Sequence, residues 1–167
     1  QEQDKAVAAC ATSALWSVLQ GTGKLFQHHI LSPVEITKAA TEHIPIESRT
    51  LPNSGLSPAM MARAIRSVSL EPYLVRVADE YILKSTLYAY LRGKIPMILG
   101  IELIDVSEKP GRSIGHHAVA ATGYSLGHEQ PIPYGPSDFV LRASRIDKIY
   151  VHDDQVGPFA RMVLDSV

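Results

Sequence analysis

"GHHAVAATGY", residues 115–124, sets two histidines at the mouth of an apolar run that closes on Gly-Tyr. A buried strand normally avoids such a pair, because imidazole is polar and titrates near neutral pH. Either the histidines mark a strand end, or one of them is placed to move protons. Around this stretch the apolar pattern is that of extended chain. "IPMILGIEL" (95–103), "HHAVAATGYS" (116–125), "DFVLRAS" (138–144), "KIYVHD" (148–153) and "FARMVLD" (159–165) read as strands. Their separators "SEKPGRSIG" and "GHEQPIPYGPS" are rich in Gly, Pro and Ser and read as surface loops.

Upstream of residue 95 the period lengthens. "CATSALWSVLQG" carries Ala11, Ala14, Leu15, Val18 and Leu19 on one helical face, with Gly21 as its stop. "SPVEITKAATEH" opens with Ser32 as cap, Pro33 at the first helical position and Glu35 closing a capping box. "SPAMMARAIRSV" repeats that start at Ser57-Pro58, and a fourth helix runs from an Asp79 cap to Gly93. Between the last two, "LEPYLVRV" (70–77) reads as a short extended segment. Helices first and strands afterwards predict an α+β fold, an antiparallel sheet packed on an N-terminal helical part. The chain of 167 residues suits one domain, a helical lobe over 1–94 and a β lobe over 95–167, with a cleft between them for chemistry.

Bulk properties exclude several classes of function. A net charge of −1 lacks the concentrated basic surface that nucleic acid demands. No stretch reaches the roughly 20 apolar residues of a membrane span. Cys10 is the only cysteine, which rules out an internal disulfide and suits a reducing, cytoplasmic compartment.

That cysteine is also the sharpest chemical candidate. At a helix N-terminus the macrodipole and unpaired N–H groups favour thiolate, the nucleophilic form, and can hold an oxyanion. A nucleophilic cysteine needs a base, which cysteine enzymes take from a distant histidine oriented by Asn or Asp. His117 stands at the start of a buried strand, and Asp153 and Asp154 at the end of another. Each has a plain structural alternative: a small buried hydrophobe, a strand-end histidine, a solvated turn before Gly157-Pro158. Together, in the order Cys, His, Asp, they form the set that a thiol hydrolase uses. The remaining histidines form no H-E-x-x-H pair; His152 with Asp153 comes nearest to a zinc pair, and no glycine run makes a phosphate loop. Trp16 falls outside the main helix stripe and reads as packing between lobes.

Four stretches, "CATSALW", "GKIPMILGIEL", "HAVAATGY" and "VHDDQVG", resemble the papain superfamily of cysteine peptidases. The likeness is closest to its compact bacterial branch, which includes the leader-processing peptidase domains of bacteriocin exporters. It follows the element order of most of the chain and is weakest between residues 22 and 94. It implies a papain-like two-lobed fold, a peptide or protein substrate and no cofactor. The family's histidine directly precedes an Ala-Val pair, which selects His117 over His116. Its acid falls four residues before a glycine, here Gly157, which selects Asp153 over Asp154. Its oxyanion-hole glutamine lies six residues before the cysteine, where this chain has Asp4; Gln3 takes the role if the loop bulges by one residue. The same triad could instead pass its acyl group to an amine, and the fold could serve as a catalytically silent binding module.

Overall fold

A computed structural model describes residues 9–42, 55–107, 109–134 and 139–164. Four helices precede four strands: α1 (Ala9–Phe26), α2 (Pro33–Thr41), α3 (Pro58–Arg66), α4 (Glu80–Arg92), β1 (Met97–Asp105), β2 (Arg112–Leu126), β3 (Ile146–Asp153) and β4 (Gly157–Val163). The strands form one antiparallel sheet in the order β1-β2-β3-β4. The fold is therefore α+β, with its helices N-terminal and its strands C-terminal. Among the described residues no helix is long and apolar enough to cross a membrane.

The helix starts follow from side chains that satisfy otherwise unpaired N–H groups. Ser32 accepts from the Glu35 N–H while Glu35 accepts from the Ser32 N–H, closing the capping box on α2. At α3 Met60 stands where Glu35 stands in α2, and its sulfur takes the Ser57 N–H at 3.5 Å. Asp79 caps α4 through the Ile82 N–H at 2.8 Å.

Gly21 is not the stop of α1, which runs five residues further to Phe26. Its glycines serve close packing instead. A Cβ on Gly21 would meet Pro96 at 3.3 Å, and one on Gly23 would meet Ile30 at 2.5 Å. The helix ends where Gln27 adopts φ 59° and its N–H reaches the Gly23 carbonyl.

Alternation along β2 distributes the core. Ala118 and Ala120 pack against Ala11, Ala14 and Val18 of α1. Val119 and Ala121 join Leu87 and Leu91 of α4, together with Ile149 and Val151 of β3. Successive strand residues point to opposite faces, so α1 and α4 sandwich the sheet. The small alanines let α1 approach closely. A third cluster ties α1 to α2 and α3 through Leu15, Leu19, Ile36, Ala40, Ala64 and Val68. Trp16 is 43 % exposed and so does not serve as buried packing.

Two expected extended segments do not join the sheet. Residues 70–77 run without a ladder. The stretch 138–144, where described, gives one isolated bridge from Val140 to Pro133 and a 3-10 turn over Arg142–Arg145. Ser144 explains the turn: its hydroxyl donates to the Leu141 carbonyl at 2.8 Å and accepts from the Ile132 N–H at 3.1 Å. Such local bonds compete with ladder pairing.

The β1–β2 register slips between Leu103 and Ile104, opposite Gly115. Gly115 has φ +142°, a conformation that side-chain-bearing residues rarely adopt, and a Cβ there would meet nothing within 4 Å. Gly115→Ala therefore tests backbone strain alone. It is expected to cost about 1–3 kcal/mol, read as a fall of several degrees in Tm. An unchanged melting temperature would remove the bulge as the reason for glycine two residues before His117.

Candidate functional site

Just beyond that bulge the two histidines part. His116 is exposed opposite Glu102 on β1, whereas His117 is buried, with 6 % of its surface accessible. His117 Nε2 lies 3.1 Å from Asp153 Oδ2 and 3.5 Å from Asp154 Oδ1. The β2–β3 ladder makes the meeting possible by pairing Ala120 with His152, which brings the end of β3 alongside the start of the buried part of β2.

Asp153 is held by its own turn. Its Oδ1 accepts from the Gln155 N–H at 2.7 Å and the Val156 N–H at 3.1 Å, leaving Oδ2 for the imidazole. This is an aspartate turn, in which a side-chain oxygen takes N–H groups two and three residues on. Burial pushes the Asp153 carboxyl up. The Gln155 and Val156 N–H groups, with the His117 hydrogen bond and charge, more than offset it and hold Asp153 below its ordinary 3.8.

A lowered folded value means that the ionised carboxylate stabilises the fold above about 3.8. That contribution is lost as pH falls through the folded value. Melting curves of wild type and Asp153→Ala should differ at about pH 5 and draw together as pH falls below 3.8 and through the lowered folded value. A difference that persists unchanged to the lowest pH would show that the ionised form contributes nothing.

Cys10 lies in the first turn of α1, half-buried against the cluster that includes Ala118, the neighbour of His117. Its thiol makes no hydrogen bond among the described residues. Catalytic hydrogen bonds in resting sites are often long or poorly aligned. Gln3, the expected oxyanion donor, and Asp4 lie outside the described residues.

His117, Asp153 and Asp154 also form the group of described residues whose donor atoms converge within 4.8 Å, close enough for a cation. The same three side chains make up the His117–Asp153 hydrogen bond and the His117–Asp154 ion pair. His152 takes no part in this group. Its Nε2 is buried with no hydrogen-bond partner among the described residues, and its ring meets Phe159 edge-on at 4.7 Å.

Two features escaped the sequence reading. The family resemblance selects Asp153, four residues before Gly157, yet Asp154 also reaches the ring; the adjacent acids in "HDD" are the available signal. Lys84 is buried, paired with Glu80 at 2.6 Å and bonded to the Ser144 carbonyl at 3.3 Å. Its partner four residues earlier on the same helix face was the visible clue. It lines a shallow pocket with Tyr81, Ile132 and Pro133, away from His117. Compared with models of known families, with curated proteins and with solved structures, the chain matches none.

Proposed function

We propose that this chain is a papain-like, two-lobed cysteine peptidase that hydrolyses a peptide or isopeptide bond. The observation that carries the reading is the His117–Asp153 pair at 3.1 Å, with Asp153 fixed by two backbone N–H groups. Asp153 accepts the Nε2 proton, which leaves Nδ1 as the basic nitrogen for a thiol. Cys10 supports the same reading by its place in the first turn of a helix packed on β2.

In this mechanism Cys10 attacks the carbonyl carbon while His117 takes the thiol proton. The tetrahedral oxyanion is held by the Cys10 N–H, with Gln3 assigned as the second donor. His117 then returns the proton to the leaving amine, and a thioester joins the acyl group to Cys10. Water, deprotonated by the same imidazole, releases the acid and restores the thiol. The residues that perform these steps need no cofactor.

The unbonded thiol favours one second reading, a silent binding module on the same scaffold. A peptide library with a C-terminal electrophilic trap separates the two. The peptidase is expected to gain one covalent adduct on Cys10, read by whole-protein mass, and to cleave unmodified members of the same library. Adducts without cleavage, but with transfer to an added amine, would point to acyl transfer. Neither adduct nor cleavage, with peptide still bound, would leave the binding module.

A further inference from the structure

We propose that Asp154 is a second positioning residue for His117, its charge keeping the imidazole proton on Nε2 alongside Asp153. At 3.5 Å the Asp154 oxygen is at the outer limit of a hydrogen bond, so it acts through charge rather than through a directed bond. The environment makes that charge effective. The His117 side chain is buried, 5 % exposed, and Asp154, an exposed residue, turns its side chain inward to 20 % exposure, so water screens the pair from the Asp154 side only. Among the described residues the Asp154 carboxylate has no other ion pair or side-chain hydrogen bond. His117 is thus its ion-pair partner there.

The two acids divide the work. Asp153 spends one oxygen on the Gln155 and Val156 N–H groups, which fixes its orientation and leaves a single acceptor for the ring. Asp154 makes no such bonds and adds negative potential at the same nitrogen. With both present, the alternative tautomer would aim the Nε2 lone pair at two carboxylates. Asp153 alone defines a direction for the N–H. Asp154 raises the penalty for reversing it.

A double-mutant cycle on the whole chain tests this, comparing wild type, Asp154→Asn, Asp153→Asn and the double variant. Two readouts are used. The first is the site of the His117 ring proton, from nitrogen-15 shifts in a Cys10→Ser background, with His117→Gln giving the assignment. The second is the rate of iodoacetamide alkylation of Cys10. The proposal rests on the peptidase reading only for this second readout. If that reading fails, alkylation ignores every substitution while the ring still reports on Asp154.

Asp154→Asn alone is expected to slow alkylation about threefold, because Asp153 still holds the ring. In the Asp153→Asn background the same change should bring alkylation at about pH 5 down to the roughly tenfold limit set by loss of the imidazole and move the ring proton from Nε2 to Nδ1. Asp154→Glu should restore both signals, and added salt should narrow the gap between the Asp and Asn forms. The proposal is overturned if Asp154→Asn leaves the ring proton in place in both backgrounds. It is overturned equally if the only effect is a lower Tm that Asp154→Glu does not recover, which would make Asp154 a turn residue.

Discussion

In His117→Ala, iodoacetamide should alkylate Cys10 about tenfold more slowly than in wild type at about pH 5. An ordinary thiol of pKa about 8.5 is thiolate in only about one molecule in 3,000 at that pH. A histidine-paired thiol is ionised but less nucleophilic, which returns about two orders of magnitude and leaves about tenfold. The shape of the profile is the sharper test. Wild-type alkylation should stay flat between about pH 5 and 7, whereas the variant should climb about tenfold per pH unit. Asp153 remains ionised across this window, because its folded value is lowered from 3.8. Peptide turnover should fall by about 100- to 10,000-fold, the usual contribution of a positioned base. Since the chain has one cysteine, whole-protein mass reads the alkylation directly. Parallel profiles in the two proteins would leave no thiolate–imidazolium pair and would end the peptidase reading.

Asp153→Asn should be more damaging than Asp153→Ala, although Asn is the closer in shape. The Gln155 and Val156 N–H groups demand an oxygen at the Oδ1 position. An asparagine must place its carbonyl there, which turns its NH2 toward His117 Nε2. That contact presses Nε2 to give up its proton to Nδ1, where a base is needed, while the Asp154 charge still holds it on Nε2. A reversed tautomer of this kind can cost about 10,000-fold in kcat. With Asp154 still opposing the reversal, we expect a loss of about 100-fold in kcat with KM little changed. Alanine presents no NH2, leaves the ring to Asp154, and should retain about tenfold more activity than Asn. Near-wild-type turnover in Asp153→Asn would mean that the amide oxygen faces His117 and that the turn tolerates its NH2.

Where local chemistry determines structure, the sequence could be read. Ser32-Pro33 with Glu35, and Asp79, satisfy helix N–H groups within a turn of themselves, so their positions follow from neighbours in the chain. The buried half of β2 was legible because both its faces are apolar. Gly21 misled because a glycine within a helix reads as an end, whereas this one makes room for Pro96, a residue 75 positions away. The stretch 138–144 has strand-like residues, and its turn rests on Ser144, which bonds the Leu141 carbonyl and also reaches Ile132, a contact its neighbours do not announce. At the site, the identities of His117 and Asp153 were visible, but not the division of Asp153's two oxygens. That division depends on a turn geometry that one sequence does not disclose.

The turn after β3 also separates two kinds of evolutionary change. Gln155 and Val156 are exposed and contribute their main-chain N–H groups, not their side chains, to the acid. Any residue that keeps its N–H can replace them without disturbing Asp153; only proline removes a donor. Selection can therefore rewrite the surface beside the imidazole at these positions while the acid keeps its place. A lineage on this scaffold could change what it recognises there without first losing what it does.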